Sequence, residues 1–390
     1  MRVYLDYNAT TPVDPRIAEV AIPFLKKDSF GNPSSFHAYG RMTRKAISDA
    51  REKVAISLNV PSDSIFFTGS GTEGDNHAIK GVFALNKSRG KHIITTKVEH
   101  PAVLGTCEWL EHSEGAHVTY LDVDREGRLF PEQVAEALKT ETILVSVMLA
   151  NNETGVIFPV KEIARICKEK GVLVHTDAVQ AMGKIPVDAE DLGVDLLSFA
   201  GHKIYAPKGV GGLYIRHGVQ IANLLHGGHQ ESGLRASTEN VLGIVSLGEA
   251  CRIITETLQE DCEKIRELRD RLESALLKSI PYLLINGRGA ERVANTSNLC
   301  FEYIEGEALL LAMDMAGIAV SSGSACASGS TNPSHVLLAM GLKPEQARSS
   351  LRFSLGRFTS DQEIDYVLEK LPPLAQRLRS MSPIYPGDPR

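Results

Sequence analysis

Long apolar runs, paired cysteines and an excess of basic residues are all missing from this sequence. No stretch of about 18 or more apolar residues occurs, so we expect neither a membrane-spanning helix nor a membrane partner. The amino terminus turns polar by Asp6 and has no signal-peptide core, which favours an intracellular protein of the cytoplasm. The net charge of −6 at pH 7 supplies no basic face, so we expect no nucleic-acid partner.

The six cysteines contain no C-x-x-C pair, so the sequence predicts neither a zinc site nor a redox motif of that type, and we expect no bound metal. Cys326 lies in a Gly- and Ser-rich segment, 321–333, which predicts a loop. A loop thiol is either exposed and reactive or incidental, and the segment alone does not decide. The other five lie in apolar stretches and are predicted to be small buried residues: Cys107, Cys167, Cys251, Cys262 and Cys300.

Short apolar segments alternate with helical patterns between about residues 60 and 216. Such alternation predicts βαβ units around a mostly parallel sheet, and therefore an α/β fold. The chain of 390 residues is long enough for two domains. The strand candidates are Ile65–Thr68, His92–Thr96, Val118–Val123, Ile143–Ala150, Val172–Thr176, Leu196–Ala200 and Gly212–Arg216.

A helical pattern at about 243–279 follows, and Pro281 ends it. The stretch is long for one globular helix, so we expect a break in it or a bridge between domains. We predict a large domain at 15–258. Residues 1–14 and 259–390 are predicted to form a smaller α+β domain that carries Cys326.

The segment Gly69–Gly74 has the pattern G-x-G-x-x-G, after a predicted strand and before a predicted helix. Backbone N–H groups at such a helix start can hold a phosphate. A dinucleotide is disfavoured because the motif comes late in the chain and the next strand lacks an acidic residue at the expected spacing. Taken alone, the segment fits a plain turn as well.

Asp177 ends one predicted strand, and Lys203 and Lys208 follow the next. Ligands of open α/β sheets bind beyond the carboxyl ends of strands, where Asp177 could pair with a pyridine nitrogen or simply cap a helix. A lysine just past an apolar strand can be partly shielded from solvent, which lowers the pKa of its amine and favours a Schiff base. Most lysines, however, lie on the surface. Only the combination of the glycine turn, the aspartate and a lysine points to such a cofactor.

Seven motifs lie in order along the chain, at 4–12, 30–35, 99–101, 150–155, 175–180, 201–209 and 321–329. Together they resemble the cysteine desulfurases of the NifS/IscS type. The resemblance covers nearly the whole chain and implies a fold of the pyridoxal phosphate (PLP)-dependent transferases, type I, class-V aminotransferase-like. It also implies a homodimer that converts L-cysteine to L-alanine, with a persulfide passed to a NifU/IscU-type scaffold for iron–sulfur cluster assembly.

Matched position by position, the resemblance implies a role for each site residue. Lys203 attaches the cofactor, Asp177 pairs with its ring nitrogen, and Gln180 bonds its ring hydroxyl. His100 stacks on the ring and moves protons, and Cys326 receives the sulfur. The implied phosphate contacts are Gly71, Thr72, His202 and, from the partner subunit, Thr238. Ala200 and Gly201 are implied cofactor contacts. The implied substrate contacts are Arg352, Asn152 and Asn8, and Asn152 is also a cofactor contact.

Ala200 departs from the family, which often has a serine there that bonds the phosphate. The chain therefore lacks one expected hydroxyl. Two other functions fit parts of the sequence. An aminotransferase or lyase of the same fold would not need Cys326, and a nucleotide-binding protein without catalysis would use only the glycine turn.

Overall fold

The computed structural model describes residues 1–27, 29–322, 332–383 and 385–387. Cys326 and most of its predicted loop, at 323–331, lie outside these residues. The strands of the described chain are β1 (Val3–Tyr4), β2 (Ile65–Thr68), β3 (His92–Thr96), β4 (His117–Leu121), β5 (Thr142–Ser146), β6 (Leu173–Asp177), β7 (Leu196–Ala200), β8 (Gly211–Ile215), β9 (Leu283–Asn286), β10 (Thr296–Phe301), β11 (Ile318–Ala319), β12 (Ser321–Ser322) and β13 (Ser350–Ser354).

The α-helices of the same residues connect and cover these strands. They are α1 (Pro15–Ala21), α2 (Ala38–Leu58), α3 (Gly71–Asn86), α4 (Pro101–Glu114), α5 (Pro131–Ala137), α6 (Val160–Glu169), α7 (Ala189–Leu192), α8 (Val241–Ser279), α9 (Gly306–Met315), α10 (His335–Ala339), α11 (Pro344–Arg348) and α12 (Asp361–Ser380). Among the described residues, none of these helices combines the length and apolar character needed to cross a bilayer.

The central sheet has the strand order β2-β8-β7-β6-β5-β3-β4. Its strands run parallel except β8, which pairs antiparallel with β2 and β7, so the predicted mostly parallel α/β sheet is confirmed. Three predicted strands match β2, β3 and β7 to the residue, and three more are displaced at their ends by one or two residues.

The prediction that a strand continues to Ala150 is wrong, because β5 ends at Ser146. Beyond that point the Met148 N–H group donates to the Glu99 carboxylate, at 3.0 and 3.1 Å, and not to a backbone carbonyl of β3. On the other side, the Val147 and Leu149 N–H groups still donate to the β6 carbonyls of His175 and Asp177, at 3.1 and 2.9 Å, so beyond Ser146 the run keeps its bonds to β6 and loses those to β3.

Helix α8 is unbroken and, at 1.5 Å per residue, extends for about 58 Å. Its first half packs into one apolar core through Ile244 and Ile254, and its second half packs into another through Leu268 and Leu276. Helix α8 therefore joins two apolar cores, and the alternative of a break is wrong.

A second, antiparallel sheet has the order β12-β13-β10-β9, and β1 pairs with β11 beside it. Val3 and Leu5 belong to the same core as the carboxy-terminal helices α9 and α12. The amino-terminal segment is therefore built into the carboxy-terminal half of the fold. This arrangement carries Asn8 and Arg352, which are far apart in sequence, toward the carboxyl edge of the central sheet.

Candidate active site

A cavity of about 230 Å³ opens at the carboxyl edge of the central sheet. Of the predicted site residues, Gly201 is buried but does not line this cavity, Thr238 is exposed elsewhere, and Cys326 lies outside the described residues. The remaining predicted residues all line it: Asn8, Gly71, Thr72, His100, Asn152, Asp177, Gln180, Ala200, His202, Lys203 and Arg352. The structure therefore brings together residues from almost the whole length of the chain.

The start of helix α3 forms one wall of the cavity. Ser70 caps this helix by accepting the Glu73 N–H group at 3.1 Å, and Gly71 and Thr72 supply the first-turn amides. A Cβ atom at Gly71 would lie 2.6 Å from Cγ2 of Val179, so only glycine allows this approach to the strand ends. Unpaired first-turn N–H groups at a helix start suit a phosphate.

Asp177 ends β6, and its Oδ1 accepts the Val179 N–H group at 2.8 Å. Burial raises the pKa of this carboxyl to about 6, although the charge of Lys203 opposes the rise. A buried carboxylate is stabilised by a cation, and a protonated pyridine nitrogen is one.

Asp75 is a second buried carboxyl that lines the cavity and that the sequence analysis missed. Its Oδ1 has no hydrogen-bond partner among the described residues. Burial, and then the charge of Asp177, raise its pKa well above the ordinary value. Its position four residues after Gly71, on the same helix face, was the available signal. Other lining residues that were missed are Ala9, Ser70, Met148, Ala150 and Val179.

The structure separates the two candidate lysines. Lys203 follows β7 through the turn Gly201–Lys203, and its Nζ donates to the backbone oxygens of Asn8 and Ala9 inside the cavity. Lys208 is exposed. Only Lys203 is therefore placed to react with a group held between the α3 start and Asp177.

His100 caps helix α4, and its Nδ1 accepts the Ala102 N–H group at 3.1 Å. Burial, followed by the charge of Lys203, lowers its pKa to about 4. The ring is therefore neutral at pH 7, and because Nδ1 accepts, its proton is on Nε2. The pKa of His202 is lowered to about 4 for the same reasons. Neutral imidazoles here can donate hydrogen bonds or take up a proton.

Arg352 lies at the other end of the cavity on β13. Its Nη1 donates to the Asn152 carbonyl at 2.8 Å, and its Nη2 pairs with the Asp6 carboxylate at 2.9 Å. Its buried Nε has no partner among the described residues. Asn8 supports the same carbonyl through an Nδ2 contact of 3.1 Å. A guanidinium held in this way still has donors for a ligand carboxylate.

These groups fit pyridoxal phosphate. The helix start suits its phosphate, the buried Asp177 carboxyl suits its ring nitrogen, and the Lys203 amine suits its aldehyde. The fold and the cavity define a class, the PLP-dependent enzymes of fold type I.

The chain belongs to the aminotransferase class-V family, whose sequence pattern matches residues 3–367. It is 52% identical over 386 residues to a cysteine desulfurase IscS of Clostridium botulinum, covering 98% of this chain and 97% of that one. It is 50% identical over 388 residues to a cysteine desulfurase IscS of Methanosarcina thermophila, covering 100% and 95%. A solved NifS-like protein superposes with a TM-score of 0.91 at 41% identity, covering 97% of this chain and 100% of that one.

Proposed function

We propose that this protein is a PLP-dependent cysteine desulfurase, which converts L-cysteine to L-alanine and carries the released sulfur as a persulfide on Cys326. The observation that supports it most directly is the cavity, where an amine, a buried carboxyl and a buried guanidinium converge. The extended similarity to proteins named cysteine desulfurase supports the same conclusion.

Bound pyridoxal phosphate supplies an electron sink for the negative charge that develops at the substrate α-carbon. Asp177 contributes a carboxylate for the ring nitrogen, and the α3 start and His202 contribute donors for the phosphate. Lys203 would hold the cofactor through its amine, and when that amine is free it would be the base that removes the substrate α-proton.

Arg352 binds the substrate carboxylate and so orients the substrate for this proton transfer. His100, neutral at pH 7, lines the same cavity and can pass protons to and from the reacting groups. Asn152 and Asn8 keep the guanidinium and the cavity wall in place through the contacts already described.

In the sulfur step the Cys326 thiolate attacks the substrate sulfur, so that an S–S bond forms and the Cβ–S bond breaks. The carbon fragment takes up protons to become alanine. The other cysteines are poor candidates because burial raises their pKa: to about 12 for Cys107, Cys167 and Cys251, to about 11 for Cys300, and upward for Cys262. A thiol with a pKa of 11 is ionised in about one molecule in ten thousand at pH 7.

The function is tested with the purified protein and L-cysteine. We expect visible absorption from covalently bound cofactor, and alanine formed in equal amount to sulfide when a thiol reductant is present. Transfer of the amino group to a keto acid without sulfide would indicate an aminotransferase instead. A protein without visible absorption that binds nucleotides would contradict the proposal altogether.

Arg352→Lys is expected to raise the KM for L-cysteine by about 10- to 100-fold, because lysine keeps the charge but cannot bind a carboxylate through two parallel hydrogen bonds. The measurement is steady-state alanine formation over a range of cysteine concentrations. Arg348→Lys, an exposed position on α11, is the matched control. An unchanged KM in a correctly folded Arg352→Lys protein would remove Arg352 from the substrate site.

We also propose that the protein is a homodimer with a shared site. An apolar patch, formed by Phe30, Phe36, Tyr39 and Met42, is exposed at the start of α2; Phe30 and Phe36 are 69% and 86% exposed. Exposed patches of this kind mark interfaces. Thr238 is exposed and does not line the cavity of its own chain, which suits a residue that acts in the partner's site.

Phe36→Asp is expected to convert the dimer into monomers, because it replaces an apolar side chain of the patch with a carboxylate that would have to lose its water at the interface. Sedimentation velocity measures the association state, and bound cofactor is measured by absorption. Leu85→Asp, at an exposed position on α3, is the control and should stay dimeric. A monomeric wild-type protein with full activity would rule the dimer out.

For the acceptor, we propose an iron–sulfur scaffold protein of the NifU/IscU type, and for the compartment the cytoplasm. The relatives named IscS support the first. The cysteines of the described residues are free thiols, which suits a reducing compartment.

A further inference from the structure

Lys184 lies beside the candidate active site and has no role in the mechanism given above. It follows Gln180 by four residues in a turn in which the Lys184 and Ile185 N–H groups both donate to the Ala181 carbonyl. The turn is not helical, because Gly183 has a left-handed φ of 72°. The side chains of Lys184 and Gln180 nevertheless both reach Asn8 of the amino-terminal segment.

The Lys184 Nζ donates to two side-chain amide oxygens, Oε1 of Gln180 and Oδ1 of Asn8, the latter at 3.0 Å. An amino group beside an amide attracts its oxygen and repels its NH₂ group. Each of the two amides is therefore oriented with its oxygen toward Lys184 and its NH₂ group away from it. The Gln180 Nε2 faces away from Lys184, and one of its hydrogens reaches the Asn8 carbonyl at 2.9 Å.

The surroundings of Lys184 strengthen this constraint. No salt bridge joins it to a carboxylate within the part of the chain that the structure describes. Burial, and then the charges of Lys203 and Arg352, lower its pKa well below the ordinary lysine value. Even a neutral amine has two N–H donors, enough for both amide oxygens, so the orientation holds in either protonation state.

We propose that Lys184 is a positioning residue that fixes the Gln180 amide so that a donor, and never an acceptor, faces the ring oxygen of the cofactor. Gln180 lines the cavity and has a second amide hydrogen beyond the one used by Asn8. The inference rests on the proposed function, since it needs the cofactor. Its chemical consequence is that the ring oxygen is held in its deprotonated form.

The test follows the visible absorption of the bound cofactor as a function of pH, without substrate. Lys184→Met removes both donors and keeps the apolar stem. We expect the midpoint of the spectral change to move up by about one pH unit, because an oxyanion that loses a donor becomes a stronger base. We also expect cofactor dissociation from the protein, measured by equilibrium dialysis, to increase several-fold. Lys168→Met, at an exposed position on α6, is the control and should leave both unchanged.

A double-mutant cycle distinguishes positioning from a direct charge effect. Gln180→Ala alone should raise the midpoint by a similar amount. Adding Lys184→Met to it should move the midpoint by less than about 0.3 pH unit, because the residue through which Lys184 acts is gone. Equal shifts from Lys184→Met in both backgrounds, or no shift in either, would overturn the proposal.

If the methionine variant does not fold, Lys184→Gln keeps one donor group on a shorter chain and should give a smaller shift of the same sign. A midpoint identical to that of the wild type in this variant, together with unchanged cofactor dissociation, would also overturn the proposal. A wild-type protein without visible absorption would contradict the proposed function, which is a separate failure.

Discussion

Lys203→Ala is expected to abolish the visible absorption of covalently bound cofactor and to reduce alanine formation by at least about 10³-fold. The substitution removes the amine that would bind the cofactor aldehyde, and with it the base for the substrate α-proton. Among the described residues Lys203 is the lysine that lines the cavity, where its Nζ atom is held by two backbone carbonyls. Absorption spectra and a single-turnover alanine assay measure the two effects.

Lys208→Ala is the matched control, since it removes an exposed lysine five residues away. This variant should keep both the absorption band and the activity. Retention of the band in Lys203→Ala, or its loss in Lys208→Ala, would contradict the assignment.

Cys326→Ser is expected to keep the cofactor and the spectral response to L-cysteine, and to lose sulfide production by at least about 10³-fold. Cofactor and substrate binding do not use the thiol, whereas a serine hydroxyl cannot take up sulfur as a persulfide. In the wild-type protein, mass spectrometry after one turnover should find one extra sulfur atom, on Cys326.

Cys262→Ser provides the comparison, because Cys262 is the one partly exposed cysteine of the described residues. It should desulfurate at the wild-type rate. Extra sulfur on Cys262 or on any buried cysteine, or normal turnover by Cys326→Ser, would show that the sulfur step proceeds differently.

Much of the central sheet could be predicted because its strands are short apolar runs bounded by polar turns. Ile65–Thr68, His92–Thr96 and Leu196–Ala200 were correct to the residue. The predicted strand at 143–150 was too long, because the residues after Ser146 stay apolar and buried but no longer pair with β3. Met148 is buried beside Glu99, which takes over its backbone hydrogen bond, and apolarity alone does not distinguish a strand from a buried loop.

The site shows the same division. Asp177, and Lys203 or Lys208, could be proposed as candidates because strand ends meet at one edge of a parallel sheet, where ligands bind, but the spacing did not choose between the two lysines. Arg352 and Asn8 lie on other elements, and only their family motifs suggested roles for them. Asp75 was missed because a buried carboxylate looks like any surface one in a sequence, and burial is a property of the packed fold.

The sequence by itself determined the alternation of strands and helices and the glycine turn. It also distinguished Cys326, in a Gly- and Ser-rich segment, from the five cysteines in apolar stretches. These features depend on local backbone preference and on the pattern of apolar residues. The tertiary structure decided which lysine enters the cavity, and it placed Asp75 beside Asp177 and Lys184 between Gln180 and Asn8. Those relations join elements that are distant in the chain, and they exist only after the two cores have packed.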